Sequence, residues 1–359
     1  MEAVSSEGPA ALPEIPLVDL ATAGAPELVR RRRAETLELI AHGRRQFTRC
    51  GLAVADRLAR LWLERSANPY LEDIAAIAAE LRAAGAYALN LSYEWTCTSG
   101  VGPDPAGRGA RLLRVLDWSL GGLGRHVVVV RHEAPAGPWL NITWPGLVGV
   151  FTALAPGRFA AAINQPPLRR HVGFLPADWM AERVSLWRSR ALPPSHLLRR
   201  AFETCADYAA ARALLRRAPV CLPAFFILSG TGPGEGCVIE RTEDEAEVHE
   251  APVAVANDWL GRRFGPGTAR GVDSAGRRAL MTRSLAAVDP LAWIAPPVAN
   301  PWTRVAVAAN AATGALAVQG WERGAPATRV LRLEAEGAAG AAPSAGPEAG
   351  AEAGTAVAV

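Results

Sequence analysis

Five cysteines, Cys50, Cys97, Cys205, Cys221 and Cys237, carry the most nucleophilic side chains of this 359-residue chain. Their odd number, with no CxxC pair and no zinc-type histidine spacing, argues against a disulfide framework or a structural zinc and predicts free thiols. Cys97 stands out by its place. The run Tyr93-Glu94-Trp95-Thr96-Cys97-Thr98-Ser99-Gly100 marks the junction between a helix-like and a strand-like part of the chain. A lone cysteine there is more often a small core hydrophobe than a nucleophile, but its downstream neighbours shift that balance. In Leu112-Leu113-Arg114-Val115-Leu116-Asp117-Trp118 an arginine and a carboxylate sit inside an otherwise apolar strand, where unpaired charges are costly to bury and need partners. Residues three apart on a regular strand point to opposite faces. Arg114 and Asp117 therefore pair directly only if the strand ends or bends between them, and shared contact with a third group is as natural. Asn257 and Asp258 close another apolar run, Ala254-Val255-Ala256, where turn formation is the alternative to a role in a site.

The rest of the composition narrows the chemistry. Half of the residues are hydrophobic and a fifth are charged, the balance of a globular protein with a sizeable core. All 38 basic residues other than histidine are arginines, which removes Schiff bases, Ser-Lys pairs and P-loop lysines and leaves acid/base, thiol, hydroxyl or metal chemistry. The net charge of +3 is too near balance to predict a nucleic-acid partner. Arg30 to Arg33 share a helix with Glu35 and Glu38 and read as a solvated face. The six histidines show neither HExxH nor HxH spacing, so neither a metal nor a cofactor is expected. Gly230-Thr231-Gly232-Pro233-Gly234 lacks a following lysine and reads as a hairpin loop. Residues 1–15 lack a secretory pattern and no apolar run approaches the ~18 residues of a membrane span, so the cytoplasm is the expected compartment, with peripheral contact to lipid surfaces left open.

The elements that must position these residues follow from periodicity. Phe47, Val54, Leu58, Leu61 and Trp62 mark one face of a helix and Leu71, Ile74, Ile77 and Leu81 one face of another, with Asn68-Pro69 between them. After residue 97 short β-like runs appear, among them 112–116, 127–130 and 225–228, separated by Gly/Pro turns. Two helices interrupt them, one over about 178–190 and one that starts at Thr204, capped by its hydroxyl with Asp207 in the first turn, and stops before Pro219. A final hairpin pairs 304–308 with 315–320. Residues 1–14 and 335–359 are Ala/Gly/Pro-rich and are expected to be disordered.

Together these segments resemble the acid ceramidase and N-acylethanolamine acid amidase group, relatives of choloylglycine hydrolase and penicillin V acylase among the N-terminal nucleophile hydrolases. The match runs from Ala88-Leu89-Asn90-Leu91-Ser92-Tyr93-Glu94 into Cys97-Thr98-Ser99, similar to the family's cleavage region and the Cys-Thr-Ser start of its catalytic chain. It continues through Arg114-Val115-Leu116-Asp117-Trp118, Trp144-Pro145-Gly146-Leu147-Val148-Gly149, Asn257-Asp258-Trp259 and Arg277-Arg278, in the family's order, over roughly 25–322. Val115 stands where the family usually has Asn, Leu112-Leu113 replaces a His-Gly, and Gly100 replaces a common isoleucine. None of these removes a catalytic group.

The resemblance implies a four-layer αββα sandwich, an α+β fold, preceded by a helical segment. It divides the chain into a propeptide-like segment over 15–96 and a catalytic domain over 97–334, joined after cleavage as an α/β heterodimer from one precursor. It implies self-cleavage between Thr96 and Cys97, a Cys97 thiol activated by its own α-amino group, Asp117 holding that ammonium and Arg114 favouring the thiolate. Asn257 and Asn164 become oxyanion donors, Trp144 a substrate-binding residue and Arg277 a support. The expected partner is a small-molecule N-acyl amide of ceramide or N-acylethanolamine type. Acyl transfer, penicillin- or bile-salt-type amides, and a non-catalytic lipid-binding homologue are the alternatives.

Overall fold

The computed structural model describes residues 11–93, 95–268 and 270–333. The expected disordered tails fall outside these residues except for 11–14, where the Pro13 carbonyl accepts the Arg329 amide at 2.8 Å. A short strand, β1 (Leu17–Ala21), opens the described chain, and five helices follow: α1 (Ala25–Arg31), α2 (Arg33–Phe47), α3 (Arg49–Arg65), α4 (Leu71–Leu81) and α5 (Ala86–Asn90). The strand-rich part begins with β2 (Trp95–Pro103), β3 (Ala110–Trp118), β4 (Val128–His132), β5 (Trp139–Thr143), β6 (Thr152–Ala155), β7 (Phe159–Asn164) and the two-residue β8 (Leu168–Arg169). Next come α6 (Leu175–Arg188), α7 (Pro194–Thr204) and α8 (Tyr208–Arg217). Strands β9 (Ala224–Ser229), β10 (Gly236–Arg241), β11 (Ala246–Glu250), β12 (Val253–Val255) and β13 (Gly267–Thr268) lead to α9 (Ser274–Ser284). The chain closes on β14 (Thr303–Asn310), β15 (Leu316–Glu322), β16 (Ala325–Pro326) and β17 (Leu331–Leu333).

Two sheets carry the core. One runs β1-β4-β5-β6-β7-β9-β10-β11 and the other β12-β2-β3-β14-β15-β16. Strands β2 and β3 face β7 and β9 across the interior, α7 and α8 cover the first sheet, and α9 covers β2 and β12 of the second. This is the expected αββα sandwich. Strands β2, β3, β6, β7, β9, β10 and β14 are buried almost throughout, because both faces of each sheet pack on another layer.

Several expectations change in detail. The 15–96 segment is not purely helical, since β1 pairs in parallel with β4 at the edge of the first sheet. The helix expected to start at Thr204 starts at Tyr208: Thr204 ends α7, while Asp207 is the N-cap and accepts the Ala210 amide at 2.7 Å. Asp207 accepts that amide from an extended backbone, as an N-cap must. The apolar face read on α3 is largely outside the core, with Val54, Leu58 and Leu61 each at least half exposed and only Trp62 of that set buried within the helix. By contrast, the 230–234 loop joins antiparallel β9 and β10, and the closing hairpin forms between β14 and β15. All five cysteines are free thiols, and Cys50 alone among them is exposed.

Candidate active site

Cys97 lies on β2, where strand alternation turns its side chain, with Trp95 and Ser99, into the interior between the sheets. Arg114, on the neighbouring strand β3, meets it there. The Arg114 Nη2 is 3.0 Å from Cys97 Sγ and 3.0 Å from the Ile163 carbonyl, while Nη1 donates to the Phe151 carbonyl at 3.1 Å and to the Thr152 hydroxyl. The guanidinium is fully buried and has the thiol as one of its partners. Burial pushes the Cys97 thiol up to about 11, opposed mainly by the charge and hydrogen bond of Arg114. The structure thus holds a neutral thiol beside a cation able to stabilise its anion.

The other face of the same strands carries the second half of the cluster. Strand β12 pairs with β2 only at Ser99 to Val101, which leaves the edge of β2 at Cys97 to side chains. The Cys97 amide donates to Asn257 Oδ1 at 3.2 Å and its carbonyl accepts from Arg277 Nη1 at 2.8 Å. Arg277, on α9, also donates to Asn257 Oδ1 at 3.0 Å and to the Thr98 hydroxyl at 3.1 Å. Asn257 Nδ2 donates to the Gln165 carbonyl at 2.6 Å, and an amide nitrogen carries a second hydrogen that an oxyanion can take.

Asp117 does not pair with Arg114, as the three-residue spacing requires. It faces the α9 side, accepts from Asn300 Nδ2 and the Thr303 hydroxyl, each at 2.9 Å, and lies 3.9 Å from Arg277 Nη1. Burial pushes its carboxyl up, opposed by Asn300, Arg277 and Thr303. The Cys97 nitrogen is held by Asn257 rather than by Asp117. Asn164 sits next to the centre, its Oδ1 accepting from the Ser99 hydroxyl at 2.7 Å and its Nδ2 donating to the Val255 and Ala256 carbonyls at 3.2 Å. The Thr96–Cys97 peptide falls inside β2, with Thr96 paired to Asp117.

Trp144 lies apart from the thiol. Its indole donates to the Leu123 carbonyl at 2.6 Å and packs at right angles to Trp118, with centroids 6.5 Å apart. These two rings wall a half-open apolar cleft between α2, α4 and α5 and the sandwich, lined also by Leu39, Ile40, Ile77 and Leu81. Among the described residues one group, Glu240, Glu247 and His249, brings its ligand atoms within 4.8 Å of one another. The Glu240 oxygens there are already engaged by main-chain amides and the imidazole.

The sequence is 28% identical over 180 residues to the N-acylethanolamine-hydrolyzing acid amidase of Cavia porcellus, covering 48% of each chain. It is 33% identical over 110 residues to the acid ceramidase of Pan troglodytes, 30% of this chain and 26% of that one. A probable acid ceramidase of Caenorhabditis elegans matches at 28% over 221 residues, 54% of this chain and 52% of that one. The chain is a relative of the acid ceramidases and N-acylethanolamine acid amidases. It spans about half the length, or less, of these curated relatives. No protein-family model matches it. Among solved structures, a Caenorhabditis elegans N-acylethanolamine-hydrolyzing acid amidase ortholog superposes with a TM-score of 0.45 at 21% identity, over 60% of this chain and 93% of that one. Conjugated bile acid hydrolase from Clostridium perfringens gives 0.40 at 9%, over 66% and 92%.

One departure from the pattern of these amidases and ceramidases has a packing cause. A Cβ at Gly100 would lie 2.9 Å from Met281 Cγ and 2.9 Å from Leu285 Cδ2, so the α9 region fills the space that a side chain would take. Sequence reading missed Ser99, Gln165, Asn300, Thr303 and Ser274. Each meets a named residue through a single hydrogen bond to a distant part of the chain, a pairing that one sequence does not signal.

Proposed function

We propose that this chain is a self-processing cysteine amidohydrolase acting on a linear N-acyl amide with an apolar acyl chain. The observation that carries the reading is the buried Cys97 thiol at 3.0 Å from Arg114, with its own amide and carbonyl gripped by Asn257 and Arg277. In maturation Sγ attacks the Thr96 carbonyl carbon. The Thr96–Cys97 C–N bond breaks as the thioester forms, and the thiol proton passes to the departing Cys97 nitrogen. Water then hydrolyses the thioester to a Thr96 carboxylate and a free thiol. The new α-amino group, with an ordinary pKa of about 7.7 to 8, supplies the base that a thiol near 11 needs at neutral pH. In turnover it takes the thiol proton, Sγ forms the acyl thioester, the leaving amine receives the proton, and water releases the acid. In this reading Asn257 Nδ2 donates to the oxyanion, and Arg277, which bonds Asn257 Oδ1 at 3.0 Å, supports that side chain.

The cleft walled by Trp118 and Trp144 supports an apolar acyl chain, because it is lined mainly by aliphatic and indole surface. Contact with a lipid surface is part of the same reading. Val54, Leu58 and Leu61 on α3 and Trp179, Met180, Val184 and Trp187 on α6 are exposed, and the two helices are tied where Trp62 Nε1 donates to the Leu186 carbonyl at 3.0 Å. No helix among the described residues is long and apolar enough to cross a membrane. The test is release of free fatty acid from a long-chain N-acylethanolamine by the cleaved protein. Release that Cys97→Ala abolishes is expected, and a cleaved chain that binds the amide without releasing acid contradicts hydrolysis.

A further inference from the structure

The loop that carries Asn257 is anchored by a carboxylate outside the reaction centre. Asn257 follows β12 in the second sheet, and three residues later the chain meets Glu240 on β10 of the first sheet. Glu240 is fully buried. Its Oε1 accepts the Leu260 amide at 2.6 Å, its Oε2 accepts the Gly261 amide at 3.2 Å, and Oε2 lies 3.0 Å from His249 Nε2. A carboxylate in this position has given up its water, and hydrogen bonds must replace it. Two of the three come from the backbone of this one loop. Between the anchor and Asn257, the Trp259 ring packs against Phe225 with centroids 5.1 Å apart, and on the other side the Asn257 amide donates to the Ser274 hydroxyl at 3.0 Å. Asn257 is thereby fixed between the start of α9 and the opposite sheet.

We infer that Glu240 is a positioning residue for Asn257: its carboxylate ties the loop bearing the oxyanion donor of one sheet to the other sheet, and acts on the reaction only through that donor. The inference rests on the hydrolase reading above. Truncation to alanine frees the Leu260 and Gly261 amides and lets Nδ2 drift from its place. A donor displaced by a fraction of an ångström forfeits part of the roughly hundredfold that a lost donor costs, so a fall in kcat of about tenfold is expected. KM stays within about twofold, because an oxyanion contact is made only in the transition state.

The experiment is a double-variant cycle on the cleaved protein. Glu240→Ala lowers kcat about tenfold in the native background and less than about twofold in an Asn257→Ala background, while Glu240→Gln, which keeps an acceptor for Leu260, recovers most of the loss. An equal fall in both backgrounds, or a raised KM with kcat unchanged, overturns the inference. If Glu240→Ala does not fold, Glu240→Asp, one methylene shorter, carries the same comparison. Failure of the hydrolase reading looks different: the native chain then neither cleaves itself nor turns over an amide. In that case amide exchange at Leu260 and Gly261 decides, since protection as strong in Glu240→Ala, or in Glu240→Asp where the alanine variant does not fold, as in the native chain overturns the anchor.

Discussion

Replacing Arg114 by alanine perturbs fold and chemistry by separable amounts. The guanidinium is fully buried and satisfies the Phe151 and Ile163 carbonyls and the Thr152 hydroxyl. The Phe151 carbonyl keeps the Ile163 amide at 3.1 Å, so the Ile163 carbonyl and the Thr152 hydroxyl are the acceptors that lose their arginine donor; at about 1 to 3 kcal/mol each, a loss of roughly 2 kcal/mol or more is expected, a large share of a typical stability of about 5 to 15. The chemical effect is distinct. Arg114 is the main influence holding the thiol below the value that burial alone would set, and its removal raises the pH at which the thiolate forms. Every unit of that rise leaves about tenfold less thiolate at a given pH. Arg114→Lys keeps the charge but loses the fork in which Nη2 bonds Sγ and the Ile163 carbonyl while Nη1 bonds the Phe151 carbonyl and the Thr152 hydroxyl. The assay is iodoacetamide labelling of Cys97 against pH, followed by peptide mass mapping that separates it from the exposed Cys50, beside a urea melt. The alanine variant should label with a profile displaced to higher pH, and the lysine variant should fall between. A profile identical to the native one would refute the thiolate role, whatever the melt shows.

Three further outcomes follow from packing, titration and exposure. Gly100→Ile should destabilise the protein by about 1 to 3 kcal/mol in chemical denaturation, since the Cβ alone meets Met281 and Leu285 at 2.9 Å; an unchanged melt would mean that α9 yields freely. Burial holds the His196 imidazole down at about 3, against an ordinary 6.5. The unfolded chain therefore takes a proton that the folded chain refuses, and this contribution to stability is whole above about pH 6.5 and falls by roughly 1.4 kcal/mol per unit as the pH drops toward 3. His196→Gln should flatten the decline between pH 6.5 and 5 by about 2 kcal/mol, and an unaltered slope would contradict the assignment. Leu58→Glu, on an exposed α3 position, should lower co-sedimentation with phosphatidylcholine vesicles while thermal stability stays within about 0.5 kcal/mol; undiminished sedimentation would remove α3 from the lipid contact.

The sequence made some of this legible for physical reasons. Arg114 and Asp117 announced themselves because charge inside an apolar strand must be compensated, and the strand period sends them to opposite faces, one to the thiol and one to Arg277. The face of α3 was misleading because periodicity marks an apolar stripe without saying what covers it, and Val54, Leu58 and Leu61 are exposed. Strand β1 was hidden, since Leu17–Ala21 is short and has Asp19 in its middle. Glu240 opens the acidic run Glu240-Arg241-Thr242-Glu243-Asp244-Glu245, which in sequence has the character of a solvated loop. Only the pairing of β10 with β11 shows that this carboxylate lies inside. Asn300 and Thr303 reach Asp117 from nearly two hundred residues away, a distance no local pattern bridges.

The most direct test of the central claim is intact-mass spectrometry of the purified protein beside its Cys97→Ala variant. A cut between Thr96 and Cys97 divides 37.8 kDa in the proportion 96 to 263 of 359 residues, about 10 and 28 kDa. The account predicts those two fragments from the native chain and a single full-length mass from the variant. A native chain that stays whole at neutral and acid pH, or a variant that is cut at the same bond, would contradict it.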